Sequence, residues 1–128
     1  MPRKQDHRSL IKGLIDRFIS DGLQIQYANY EGYDKPFVIT RHAPDVIAVN
    51  PKNKLGYIGK VKLCSELGEK ATKEQFTDFS KMLMKSGESQ GKRLPFFIAV
   101  PQECQTKIKQ TYHDHDISWR ENIQVLGF

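Results

Sequence analysis

Two stretches of the chain carry apolar residues at every third or fourth position, as amphipathic helices do. The first spans residues 6–20 and is followed by Gly22, a residue typical of the position after a helix end. The second lies over 72–83, and its opening Thr-Lys-Glu-Gln resembles a capping box, which predicts that Thr72 caps it. A more polar third helix is predicted over 102–116.

Strands are predicted where apolar residues alternate with polar ones or form short continuous runs. The segment 94–101, LPFFIAVP, is almost entirely apolar, which is typical of an interior strand buried on both faces. Residues 45–49 and 55–64 flank the polar turn NPKNK, so they predict a hairpin. Further candidate strands are 23–30, 37–40 and 122–128.

The predicted order of elements is α-β-(β)-β-β-α-β-α-β, in a single domain over residues 1–128. A strand, helix and strand in succession after the hairpin imply a right-handed crossover with parallel pairing. The predicted fold class is therefore α/β, a mixed central sheet flanked by helices. Because no run of 18 apolar residues occurs, we expect no membrane partner.

Composition and charge favour a globular protein with a polyanionic partner. The chain holds 20 Lys and Arg against 15 Asp and Glu, a net charge of +5, and this excess favours nucleic acid. Cys64 and Cys104 lie 40 positions apart without a CxxC motif, so we expect free or buried thiols rather than a disulfide. Free thiols and the lack of a signal peptide predict a cytoplasmic protein.

The predicted hairpin brings charged residues to one face. Lys60 and Lys62 are two positions apart on the same strand, so they project to the same side, about 6.6 Å from each other. Asp45 on the partner strand is expected near them, and Gly59 leaves the opposite face open. Taken singly, these residues are also typical of an ordinary solvated sheet face, and Gln75 of a helix cap.

The arrangement of these residues resembles the PD-(D/E)xK nuclease superfamily. Pro44-Asp45, an apolar strand, a turn and a strand carrying 60–62 (Lys-Val-Lys) follow its motif, and the element order matches from about residue 8 to 101. The compact archaeal Holliday-junction resolvases are most similar in length and layout. The resemblance implies a restriction-endonuclease-like core, αβββαβ, in a two-fold homodimer that binds branched DNA and hydrolyses phosphodiesters with Mg²⁺.

The resemblance also implies roles for individual residues. Asp45 matches the first metal carboxylate, the carbonyl of Val61 a second metal ligand, and Lys62 the catalytic lysine. Gln75 matches the helix polar residue that some members place beside the site. Such oxygen ligands suit Mg²⁺, which acidifies a water and stabilises charge on the phosphate.

Lys60 departs from the family, because it stands where the second metal-binding acid is expected. An ammonium there changes the local charge by two units and repels Mg²⁺. Three explanations remain open: another acid replaces the lost one, the Lys60 ammonium itself takes the place of the metal, or position 60 carries an introduced Glu-to-Lys change. Glu66 would lie about 20 Å away if the strand continued. The other acids considered are Glu74 and Asp78 on the second helix and, near the N-terminus, Asp6 and Glu31.

Three functions follow as expectations: an Mg²⁺-dependent DNA endonuclease, a DNA-binding module on the same fold that does not cut, and a protein-interaction domain. The catalytic candidates are Asp45, Lys60, Lys62 and Gln75, with Asp45 and Val61 as metal ligands. The predicted phosphate contacts are Arg3, Lys4, Arg8, Arg41, Lys60, Lys62 and Lys73.

Overall fold

A computed structural model describes residues 5–128, which form three α-helices and five strands. In chain order they are α1 (His7–Ser20), β1 (Gln24–Ala28), β2 (Val46–Val49), β3 (Gly56–Val61), α2 (Lys70–Ser80), β4 (Phe96–Val100), α3 (Ile108–Asp114) and β5 (Ile123–Gly127). Two 3₁₀ helices, Cys64–Glu66 and Gln102–Lys107, follow β3 and β4.

The five strands form one mixed sheet in the order β1-β2-β3-β4-β5. The pairs β1–β2 and β2–β3 are antiparallel, and the second of these is the predicted hairpin. The pairs β3–β4 and β4–β5 are parallel, because α2 and α3 return the chain to the same end of the sheet between these strands. The α/β class and the mixed sheet flanked by helices are confirmed.

Strand β4 separates the two hydrophobic cores of the protein. Phe96, Ile98 and Val100 pack on the side of α2 and α3, and Phe97 and Ala99 pack on the side of α1. Every residue of this strand is buried, because alternate side chains point to opposite faces and both faces are covered by helices. The prediction of an interior strand buried on both faces is confirmed.

Helix α1 packs unusually close to β3. A Cβ atom on Gly59 would lie 2.3 Å from Cδ2 of Leu14, so only glycine permits this approach. The face behind Gly59 is therefore filled by α1, and the expectation that it stays open was wrong. In the first turn of the same helix, His7 contacts Glu66, which follows β3, at 2.7 Å.

Two element predictions need correction. Helix α2 begins at Lys70 with Glu69 as its N-cap, and the Thr72 hydroxyl donates to the carbonyl of Glu66. Thr72 is thus within the first turn and is not the cap. Residues 37–40 form no strand, because the only β contact there is an isolated bridge between Ile39 and His42.

Cys64 and Cys104 form a disulfide, so the prediction of free thiols was wrong. The parallel strands β3 and β4 bring the two cysteines together. Both cysteines follow the carboxyl ends of these adjacent strands, and their Cα atoms lie 5.8 Å apart. The prediction of a cytoplasmic protein loses the support that it drew from free thiols. Within residues 5–128, no helix is long and apolar enough to cross a membrane.

Candidate functional site

The antiparallel register of β2 and β3 brings Asp45 and Lys60 together. Val46 lies opposite Gly59, so the next pair outward is Asp45 and Lys60. The Lys60 ammonium lies 3.5 Å from Oδ2 of Asp45, and the backbone N–H of Val61 donates to the same oxygen at 2.9 Å. The structure thus brings Asp45 and Lys60 together, as predicted. The two groups that contact Oδ2 of Asp45, the Lys60 ammonium and the Val61 N–H, are both donors.

The Lys60 ammonium is held only in part by protein oxygens. Its side chain is 15% exposed, and besides Asp45 it contacts the carbonyl of Ala43 at 3.4 Å. Both distances are longer than the 2.7–2.9 Å typical of a charge-assisted hydrogen bond. An ammonium has three donors, so Lys60 retains capacity for an oxygen in the adjoining cavity.

A cavity of about 410 Å³ opens beside this pair, and its wall includes Asp45, Lys60 and Gln75 together with Asn29 and Lys35. Gln75 is 93% buried, its exposed fraction being 7%, and its Oε1 atom has no hydrogen-bond partner among the described residues. A buried amide without a partner is costly unless a bound group satisfies it. The cavity wall therefore includes the Lys60 cation and a glutamine whose buried oxygen is unpartnered.

Lys62 directly follows the last residue of β3 and is 5% exposed. Burial lowers the pKa of this ammonium, and the positive charge of Lys60 lowers it further, while Glu66, Glu69 and Asp45 partly oppose the shift. Among residues 5–128, no carboxylate oxygen lies within 4.0 Å of its ammonium. The site therefore places two ammonium groups in partly desolvated surroundings, and Glu66, Glu69 and Asp45 are the acids that act on Lys62.

Glu66 is nearer to this site than an extended strand would allow. Strand β3 ends before it, and a 3₁₀ turn folds the chain back, so the 20 Å estimate does not apply. Its carboxylate accepts from the backbone N–H of Leu63 at 2.6 Å and pairs with Nε2 of His7 at 2.7 Å. Desolvation acts to raise the pKa of Glu66, but these two hydrogen bonds and the charge of Lys62 outweigh it and lower the pKa.

The two acids of α2 do not supply the missing carboxylate. Asp78 is 3% exposed and accepts two hydrogen bonds from Arg41, at 2.8 and 3.0 Å. Glu74 contacts Arg41 at 3.3 Å and His42 at 3.0 Å, and the His42 hydrogen bond lowers the pKa of Glu74. Both acids are thus bound by residues of the loop before β2. Arg41, a predicted phosphate contact, binds these two acids in the structure.

The two N-terminal acids are also engaged elsewhere. The Asp6 side chain caps α1 and accepts from the backbone N–H of Ser9 at 2.8 Å. Glu31 forms an ion pair with Arg8, which lowers the pKa of Glu31 through a hydrogen bond. Among the described residues, neither acid lines the cavity beside Asp45.

The remaining predicted phosphate contacts lie in different surroundings. Arg8 is exposed on the first turn of α1, and Lys73 is exposed on α2. Arg3 and Lys4 lie outside the described residues.

Two residues beside the cavity were missed by sequence reasoning. The backbone N–H of Asn29 donates to the carbonyl of Asp45 at 2.7 Å, and Lys35 lines the cavity. Both lie in the long loop between β1 and β2, whose path depends on tertiary contacts rather than on a hydrophobic period. The only signal in the sequence was a lysine directly before Pro36 in a basic protein.

These residues do not fit Mg²⁺ while position 60 is lysine. Asp45 is the one carboxylate in the cavity wall, and its Oδ2 atom already accepts from the N–H of Val61 and contacts the ammonium of Lys60. Within residues 5–128, no three His, Cys, Asp or Glu side chains form a group that could hold a metal ion. A hard divalent cation requires several oxygen ligands and is repelled by a neighbouring ammonium.

Comparison with family models, with curated proteins and with solved structures finds no match to this chain.

Proposed function

We propose that this chain is a nucleic-acid-binding domain, with DNA as its partner, built on a restriction-endonuclease-like core in which the Lys60 ammonium takes the place of the metal. The order α1-β1-β2-β3-α2-β4 supports this proposal, because it is the αβββαβ order of that core. So does the position of Asp45 at the start of β2, of Lys62 after β3 and of Gln75 on α2.

The observation that carries the proposal is the contact between Lys60 and Asp45 at 3.5 Å, beside an open cavity. A charge-assisted hydrogen bond between a lysine and a carboxylate is typically about 2.7–2.9 Å long. Here the pair is long, and a second lysine, Lys62, lies two positions further along the chain. A phosphodiester group in the cavity would accept from the Lys60 ammonium, which has donors to spare.

The site has the donors for a phosphate. Lys60 would donate to a phosphate oxygen directly, and Lys62 would add charge at longer range from the end of the same strand. If the amide nitrogen of Gln75 turns toward the cavity, it would donate to the same group, while its oxygen would accept from a bound water. Binding of this kind needs no metal and weakens with salt, because it depends on release of counterions.

Mg²⁺-dependent cleavage is the second candidate function, and Asp45, Lys62 and Gln75 favour it because they keep the positions that the nuclease motif gives them. It predicts nicking of branched or duplex DNA in Mg²⁺ that Asp45→Ala abolishes. Nicking that survives Asp45→Ala would remove this candidate. The two-fold homodimer implied by the resemblance belongs to the same proposal, and sedimentation velocity measures it.

Fluorescence anisotropy with labelled DNA in EDTA at low salt tests the proposed function. We expect salt-sensitive binding by the wild type, and a roughly fivefold to tenfold weaker affinity for Lys60→Gln with a salt dependence reduced by about one phosphate contact. Lys12→Gln is the matched control, because it removes the same charge from the exposed side of α1, where Lys12 pairs with Asp16 at 2.7 Å.

The result that overturns the proposal is the absence of DNA binding at low salt. Equal losses in Lys60→Gln and Lys12→Gln would also count against it, because they would show that only the net charge of the protein matters. A protein-interaction domain on the same fold, the third expectation, predicts neither DNA binding nor cleavage.

A further inference from the structure

We propose that the ligand of this site is unpaired, single-stranded nucleic acid, which runs from the Lys60 cavity across the turn Tyr30–Tyr33 to the first turn of α1. The inference rests on the proposed function and adds the strandedness of the ligand and the path that it follows. Of the residues on this path, Arg8 and Lys60 are predicted phosphate contacts, and none is a residue that the nuclease motif supplies.

Two cavities lie side by side and share part of their walls. The second cavity, of about 480 Å³, lies between the loop after β1 and the first turn of α1, where His7 and Arg8 line it. Asn29 and Lys35 line both cavities, so the two spaces adjoin at these residues. A chain that entered beside Lys60 would meet this second space next.

A tight turn places two aromatic rings in the second cavity. The backbone N–H of Tyr33 donates to the carbonyl of Tyr30 at 3.3 Å, and Gly32 adopts φ +88°, a conformation that side-chain-bearing residues rarely adopt. Both tyrosines line the cavity wall, and Tyr33 is 37% exposed. The turn therefore places both rings at the cavity wall, with Tyr33 exposed and Tyr30 half-buried against the core on the α1 side.

The charges along this path suit a phosphate backbone. Lys60, Lys35 and Arg8 mark its beginning, its middle and its far end. The one acid in the second cavity, Glu31, is paired with Arg8, and the Arg8 guanidinium also lies 5.1 Å from the centre of the Tyr30 ring. Cations interleaved with aromatic rings are the arrangement by which proteins bind single strands, because bases stack on the rings while the phosphates meet the cations.

The tyrosine rings are what favour a single strand over a duplex. In a duplex, the faces of the bases are stacked on one another, so a protein ring reaches them only if the duplex is opened. In a single strand the faces are free, and stacking contributes about 1–3 kcal/mol per base. Phosphate contacts alone would not distinguish the two ligands.

Fluorescence anisotropy in EDTA, with a labelled oligothymidylate and a labelled blunt duplex, tests this inference. We expect the wild type to bind the oligothymidylate more tightly. The double variant Tyr30→Leu, Tyr33→Leu should bind it roughly 10-fold to 100-fold more weakly and bind the duplex within about twofold of the wild type, because leucine keeps apolar bulk without an aromatic face. The double variant Tyr30→Phe, Tyr33→Phe keeps both rings and should retain the affinity of the wild type.

Each outcome has a distinct meaning. If the leucine variant, checked for folding by its thermal transition, binds the oligothymidylate as tightly as the wild type while Lys60→Gln binds it more weakly, the path is wrong and the proposed function stands. A duplex bound as tightly as the oligothymidylate would likewise overturn the inference alone. If neither nucleic acid binds, the proposed function fails and this inference fails with it.

Discussion

Two clusters of charged residues lie on the α2 side of the sheet, and they differ in how completely their charges are balanced. In the first, Arg41 donates to Asp78 at 2.8 and 3.0 Å and contacts Glu74 at 3.3 Å, so two acids balance one arginine. In the second, Asp45 is the one acid beside Lys60, and their contact is 3.5 Å. The first cluster is joined by acid–base contacts of 2.8–3.3 Å, whereas the acid–base contact of the second is 3.5 Å.

This difference bears on the binding role that we propose for the second cluster. The Arg41 cluster needs no outside group, because its buried carboxylate is satisfied in a bidentate geometry. The Lys60 cluster adjoins a cavity and retains an unpartnered oxygen on Gln75. An ammonium held by long contacts beside a cavity supports the proposal that an anionic ligand binds there.

The largest expected change in stability is that of Arg41→Ala. It would leave the buried carboxylate of Asp78 without its partner, and we expect a loss of about 2 kcal/mol in the free energy of unfolding, measured by urea denaturation. The affinity of the folded protein for DNA should change by less than about twofold. A large loss of affinity with unchanged stability would instead assign Arg41 to phosphate binding, as the sequence predicted.

Lys62→Met is expected to raise the free energy of unfolding, whereas Arg41→Ala lowers it. In the folded protein the pKa of Lys62 lies below its ordinary value of 10.5, so between these two values the unfolded chain binds more protons than the folded one. The stability of the wild type should therefore rise as the pH rises through that window, and the cost of the buried charge is fully present below it.

Methionine removes this cost, so Lys62→Met should be more stable at neutral pH by about 1 kcal/mol and lose the alkaline rise. Urea denaturation at a series of pH values measures both effects. Because the variant also loses a charge of the site, its affinity for DNA should fall. A less stable variant would show that the Lys62 ammonium makes a favourable contact in the free protein.

Much of the fold could be predicted because its signals are periodic. The stripe of α1 and the continuous apolar run of β4 depend on which faces are buried, and hydrophobic residues record that directly. The start of α2 could not be predicted in this way, since Thr72 in the first turn carries the same local pattern as a cap. The disulfide was missed because residues 40 positions apart meet only when parallel strands place them at one edge.

The residues of the site also differ in how far the sequence could predict their positions. Asp45 and Lys60 could be placed together, because a hairpin with a short turn has a register that counting reveals. Glu66 and Lys35 could not be placed, because a 3₁₀ turn brings one close and a long loop brings the other. Residues on regular elements follow from the pattern, whereas residues on loops follow from the packed structure alone.

The most direct measurement is a calorimetric titration of Mg²⁺ into the wild type and into Lys60→Glu. If the Lys60 ammonium takes the place of the metal, the wild type should show no saturable uptake. The Lys60→Glu variant should bind Mg²⁺ through its new carboxylate and Asp45, and Lys60→Gln, which removes the charge without adding an acid, should not. Uptake by the wild type with an affinity similar to that of Lys60→Glu would contradict the central claim.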